Sequence, residues 1–169
     1  MLFIDDLKRK KFIFNEAGGN SSLFRVFLSD GSGAMLLYRL TAFFSDHNLF
    51  LLAYPCQWLN KFLNGCVIGV NAKFKVGFVI MHPVGVVINS KVTAGYNITI
   101  ESGVVIGDEK GRSPTLGNNI FIGSGAKLFG AITIGDNVRI GANAVVVKDI
   151  PSEQTAVGIP ARFFKHKIW

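Results

Sequence analysis

The chain has 169 residues, 49% of them hydrophobic and 17% charged, with 19 glycines and a formal net charge of +7. So much apolar surface can offset chain entropy, which excludes a disordered tail. The length suits one domain with at most a small appendage, and a two-domain enzyme does not fit.

The opening MLFIDDLKRKKF sets Asp5 and Asp6 before its basic run and has no long apolar stretch ending in a small-residue cleavage site. No secretory signal is expected, and the protein is expected in the cytoplasm. The run Lys8, Arg9, Lys10, Lys11 reads as a solvated segment, with attraction to an acidic surface at the inner face of the membrane as the alternative. Between Met35 and Leu63 the apolar runs are broken by Arg39, Asp46, His47 and Lys61, so none reaches the ~18 residues of a spanning helix, and membrane contact would be peripheral. Cys56 and Cys66 have no neighbouring His or second Cys to complete a metal quartet, so they read as buried reduced thiols and no metal is expected. The basic residues are dispersed, without aromatic interleaving or a nucleic-acid-reading signature, which points to a smaller anionic partner and no nucleic acid.

From Ile68 onward an aliphatic residue recurs every six positions, often followed by Gly. The run LGNNIF, IGSGAK, LFGAIT, IGDNVR, IGANAV, VVKDIP starts at Leu116, Ile122, Leu128, Ile134, Ile140 and Val146 without a slip. Upstream the phase holds at Ile68, Phe74 and Ile80, jumps two residues to Ile88, continues through Ala94, Ile100 and Ile106, and then meets a four-residue excess around Asp108 to Thr115. A period of six spreads around a helix and is too short for a hairpin meander. Short strands joined by tight Gly and Asn corners instead give a triangular coil with one hexad per side, and thirteen hexads make about four coils, each burying its neighbour's face. The two phase breaks mark places to look for function, and His82 lies at the first, where the two extra residues are expected to bulge the strand.

The hexads resemble the left-handed parallel β-helix of hexapeptide-repeat acyltransferases over roughly residues 68 to 164. Within that superfamily KFKVGFVIMHPVGVVINSKVTAGYNITIESGVVIG is similar to the serine acetyltransferase branch, where a His precedes a G-V-V-I segment, and VVKDIPSEQTAVGIPARFFK fits the terminal coil. The short N-terminus and the V-V-I-N step after the His are closest to short exopolysaccharide O-acetyltransferases of the colanic acid type. The resemblance implies an all-β fold, a left-handed parallel β-helix over 66–169, preceded by a small helical segment over 1–65 whose Met35 to Leu63 part caps the first coil. This β-helix also serves as a carbonic anhydrase, a nucleotidyltransferase appendage or a scaffold. His47, His82 and His166 lie in three unlike segments, which does not suit a three-His zinc site, and too little chain precedes the first hexad for a nucleotidyltransferase domain.

The resemblance makes His82 the general base, since an imidazole titrates near neutrality and can take the proton of an attacking hydroxyl. On the acceptor side it points to Met81, Arg112 and Ser113. Serine acetyltransferases have Asp where this chain has Met81, an Arg-His pair where it has Arg112 and Ser113, and the Asp that orients the base where it has Val67. His82 is then left to a backbone carbonyl or an unassigned group for its orientation, and the loss of two carboxylates favours a sugar hydroxyl over free serine. For acetyl-CoA the resemblance implies Ser124 and Ala142 as small corners along the pantetheine arm, Val147 and Lys148 before the cap, and Arg162 and Lys165 as cations for the nucleotide's phosphates. It also implies a homotrimer, with the cofactor groove between two β-helices. The expected function is acetyl-CoA-dependent O-acetylation of a polysaccharide or its precursor, with serine O-acetyltransferase and a non-catalytic scaffold as the alternatives.

Overall fold

The structure, a computed structural model, describes residues 2–165; His166 and the rest of the C-terminal end of the 66–169 segment lie outside the described residues. Four helices come first: α1 (Leu2–Glu16), α2 (Leu23–Phe27), α3 (Ser32–Asp46) and α4 (Phe50–Asn64). Short strands then follow the hexad period. The first coil holds β1 (Val67–Ile68), β2 (Lys73–Phe74) and β3 (Val79–Ile80), and the second β4 (Val87–Ile88), β5 (Thr93–Ala94) and β6 (Ile98–Ile100). The third holds β7 (Val105–Gly107), β8 (Thr115–Leu116) and β9 (Ile120–Ile122), and the fourth β10 (Lys127–Phe129), β11 (Thr133–Ile134) and β12 (Arg139–Ile140). The end is closed by β13 (Val145–Val146), β14 (Gln154–Val157) and β15 (Arg162–Lys165).

Every third strand pairs, giving three faces of a prism: β1-β4-β7-β10-β13, β2-β5-β8-β11 and β3-β6-β9-β12-β14-β15. All pairs are parallel except β14 with β15, which folds back and ends the solenoid. The register stacks like on like, with Ile68 on Ile88, Ile88 on Ile106, and Leu128 between Ile106 and Val146. All thirteen hexad leaders, from Ile68 to Val146, are buried, so the period of six is the core itself.

A solenoid's first coil exposes one row of unpaired backbone groups, and the helices cover that row here. Tyr38 Oη donates to the Ala72 carbonyl at 3.1 Å and accepts from the Phe74 N–H at 3.0 Å. Arg39 donates to the carbonyls of Phe74 and Lys75, both at 2.7 Å, and Gln57 donates to Ile68 at 2.9 Å. From α1, the buried Asp6 Oδ1 accepts from the N–H groups of Gly77 at 2.8 Å and Phe78 at 3.0 Å while its carboxylate is gripped by Arg39 at 2.6 and 3.0 Å. The helices of 32–64 therefore pack on the solenoid end, with no described helix long and apolar enough to cross a membrane. Cys66 is buried and its thiol is pushed up to about 12 by burial, whereas Cys56 is only half-buried.

The run Lys8 to Lys11 is not uniformly solvated. Phe3, Asp6, Leu7 and Lys10 recur at helical spacing and form the buried stripe of α1. Lys10 is fully buried, and burial pushes its ammonium down to about 8, opposed by the charges of Asp30 and Glu101. An unfolded chain keeps that proton up to the ordinary value of 10.5. Between about pH 8 and 10.5 the unfolded state therefore holds a proton that the folded state has lost, and this group makes stability rise with pH. Denaturant midpoints measured across that window should climb less steeply in Lys10→Met than in the wild type, because the substitution removes that contribution.

Candidate active site

His82 lies in the corner between β3 and β4. The two extra residues of the first phase break fall in this corner and not in a strand bulge, because β3 and β4 each keep the two-residue length of their neighbours. Within the corner Pro83 and Val86 are buried, while His82, Val84 and Gly85 are exposed, so the excess is carried on the outside of the stacked core.

The turn between α2 and α3 lies against it. Ser29 and Ser32 hydroxyls both donate to the Val26 carbonyl, at 2.6 and 2.7 Å, and the Gly31 N–H donates to Asp30 Oδ1 at 3.1 Å. Lys10 Nζ donates to the Asp30 carbonyl and to Ser32 Oγ, the latter at 3.3 Å. Gly31 has φ +80°, and a Cβ there would stand 2.2 Å from the Ile80 carbonyl oxygen, so only glycine lets the turn press on the strand that leads to His82. The result is a contact between His82 Nδ1 and Asp30 Oδ2 at 2.8 Å, a residue that sequence reasoning missed. A carboxylate can only accept, so Nδ1 carries a proton, and in the neutral imidazole Nε2 holds the lone pair. The two side chains are 58% and 61% exposed, which leaves Nε2 open to a ligand.

The chain crosses from the third face to the first at the same edge in every coil. His82 follows β3, Ser102 follows β6, Ser124 follows β9 and Ala142 follows β12. A backbone ladder binds this edge: Gly103 N–H to Val84 at 2.9 Å, Gly125 N–H to Ser102 at 2.8 Å and Asn143 N–H to Ser124 at 2.8 Å. The ladder starts at Val84, two residues past His82, so with coils about 4.8 Å apart Ser124 and Ala142 lie two and three steps below the corner that carries His82. Ser124 and Ala142 are exposed. Arg162 pairs with Val157, whose strand continues the same face below β12, so it stands near the foot of this edge.

Other expected residues lie elsewhere on the single chain. Arg112 is exposed on a tight hairpin whose tip, Lys110 and Gly111, has φ of 52° and 81°. The hairpin leaves β7 and is held at the corner after β4 by Ser113 Oγ to Asn89 Oδ1 at 3.1 Å and Lys91 Nζ to the Gly111 carbonyl at 2.8 Å. The width of the first face therefore separates Arg112 and Ser113 from His82. Val147 and Lys148 leave β13 at that same far edge, and Lys165, paired with Gln154, lies at the opposite end of β15 from Arg162. Met81 directly precedes His82, and its N–H donates to the Ile100 carbonyl at 2.9 Å. That register sets the half-buried Glu101 beside Met81, one coil on.

A profile of the bacterial transferase hexapeptide family (six repeats) matches residues 113–148. A serine acetyltransferase of Helicobacter pylori strain J99 is 43% identical over 141 residues, covering 81% of this chain and 82% of its own. The chain belongs to the serine acetyltransferase family. It is thus an acyltransferase, and the left-handed β-helix with a small helical part is the fold of its structural neighbours. A serine acetyltransferase of Neisseria gonorrhoeae in complex with serine superposes at a TM-score of 0.86 with 31% identity over 95% of this chain, and a serine acetyltransferase in complex with CoA at 0.87 with 26% over 96%. The chain spans 66% and 68% of the lengths of those two structures.

The relatives overturn the expected glycan acceptor: they are serine acetyltransferases, not exopolysaccharide O-acetyltransferases. The expectation rested on carboxylates missing at Met81 and Val67. The fold supplies carboxylates from other positions, Asp30 on the imidazole and Glu101 beside Met81.

Proposed function

We propose that this family member transfers the acetyl group of acetyl-CoA to the hydroxyl of serine, with His82 as general base. The observation that carries the reading is the 2.8 Å contact of His82 with Asp30 at the head of a small-residue edge, in a chain 43% identical to a serine acetyltransferase. The residues present suit acetyl-CoA: the exposed Ser124 and Ala142 leave the edge below His82 free of bulk, and Arg162 offers a cation near its foot. When bound, acetyl-CoA supplies an activated acetyl group and a thiolate leaving group.

His82 Nε2 takes the proton of the serine hydroxyl as that oxygen forms its bond to the acetyl carbon. The C–S bond breaks, and the proton passes from the imidazolium to the departing thiolate. Asp30 accepts a hydrogen bond from Nδ1–H throughout, so it fixes the tautomer and favours the transient positive charge without taking a proton itself. Glu101 offers the serine ammonium a carboxylate that Met81 lacks. Arg112 suits the serine carboxylate, and on this reading it comes from a neighbouring copy, since on one chain the first face separates it from His82. That division of the site over two edges is the reason for keeping a homotrimer in the proposal.

The test is to incubate the protein with acetyl-CoA and serine and look for O-acetylserine by mass spectrometry. Glu101→Gln should raise the KM for serine roughly 10- to 100-fold, the worth of one charge-assisted hydrogen bond, with the KM for acetyl-CoA unmoved. An unchanged serine KM would remove Glu101 from the site.

A further inference from the structure

The mechanism makes no use of Lys10, although it is the one lysine among the described residues that is fully buried. A buried ammonium is costly, and an apolar side chain of similar volume is often as good or better for stability. Among the described residues its Nζ hydrogen-bonds to turn atoms, the Asp30 carbonyl and Ser32 Oγ at 3.3 Å, with the Phe14 ring 5.8 Å away and the charges of Asp30 and Glu101 acting on it from further off. The attachment of α1 to the solenoid is already made by Asp6, through Arg39 and the Gly77 and Phe78 N–H groups. The Asp30 side chain itself is 61% exposed, and within its own turn it is tied by the Gly31 N–H. A carboxylate that open to water gains a fixed direction from its backbone, and the group that grips that backbone from inside the protein is Lys10.

We propose that Lys10 is a positioning residue: by holding the Asp30 carbonyl it aims the Asp30 carboxylate at His82 Nδ1 and so decides which imidazole nitrogen faces the acceptor. The proposal rests on His82 as the base. It makes the N-terminal helix part of the catalytic apparatus, which gives a buried charge in α1 a reason that packing does not.

A double-mutant cycle of Lys10→Met and Asp30→Ala tests it, read by the turnover number for coenzyme A release and by the ring-nitrogen NMR signals of neutral His82, which report the tautomer. Lys10→Met should lower turnover about tenfold, as loss of an orienting partner does, and should raise the share of the Nε2–H tautomer. In the Asp30→Ala background the same change should do nothing further. An equal cost in both backgrounds, or an unaltered tautomer in Lys10→Met, would overturn the proposal. If Lys10→Met loses cooperative unfolding, Lys10→Gln, too short to keep the same grip, enters the cycle in its place. The tautomer is measured without any acceptor, so a failure of serine to react would count against the proposed substrate, while the NMR arm alone decides the role of Lys10.

Discussion

His82→Ala lowers the turnover number roughly 10²- to 10⁴-fold and leaves the affinity for acetyl-CoA where it was, because a general base acts on the acceptor hydroxyl and not on the nucleotide. Among the described residues its short polar contact is with the exposed Asp30, so truncation leaves no buried group unpaired and the fold should be unaffected. The Asp30→Ala enzyme should keep part of its activity, falling about 10- to 100-fold, because the imidazole remains but loses its preferred tautomer. Arg162→Ala should move in the opposite sense, raising the KM for acetyl-CoA more than it lowers turnover, since a remote phosphate changes little during the reaction. Steady-state kinetics with both substrates varied separates the three patterns. Turnover preserved in His82→Ala would remove this residue from the chemistry.

The second large effect is on stability. Asp6→Ala should cost roughly 3–5 kcal/mol, the scale found when one partner of a buried ion pair is removed. Asp6 is fully buried and Arg39 nearly so, and the carboxylate also satisfies the N–H groups of Gly77 and Phe78 on the first coil. Alanine leaves the guanidinium without its counter-charge, held only by the Phe74 and Lys75 carbonyls, and takes the acceptor from two buried amide donors. Asp5→Ala, one residue earlier, removes an exposed pair with Lys8 at 2.9 Å and should leave the denaturation midpoint in place. Equilibrium urea unfolding of the two variants makes the comparison, and equal midpoints would show that Asp6 does not anchor the first helix.

The solenoid was legible in the sequence because its repeat is the core. Each hexad leader from Ile68 to Val146 is an interior position, so the spacing of one residue type encodes strand, corner and stacking together. The interruption at His82 was legible for a related reason, although the two extra residues were expected to bulge the strand and lie instead in the corner after β3. Asp30 was not. It lies 52 residues from His82 in sequence, and the contact exists only because the α2–α3 turn packs on Ile80. The available signal was Ser29-Asp30-Gly31-Ser32, an Asp before a glycine between two apolar runs. Lys10 was hidden in a basic run, although Phe3, Asp6, Leu7 and Lys10 share the spacing of a buried helix face and set two charged residues on it. The substrate was misread because carboxylates were sought at family positions, whereas side chains from other elements can occupy the same space. Arg112 and Lys148 show the converse, since matched motif positions fall on a different edge from His82 in a single chain.

The most direct measurement is the initial rate of thiol release from acetyl-CoA with and without serine, for the wild type and His82→Ala at equal protein concentration. Release should depend on serine, saturate with it and fall at least a hundredfold in His82→Ala. Release from the wild type that is indifferent to serine, or a variant as fast as the wild type, would contradict acetyl transfer to serine by a His82 base.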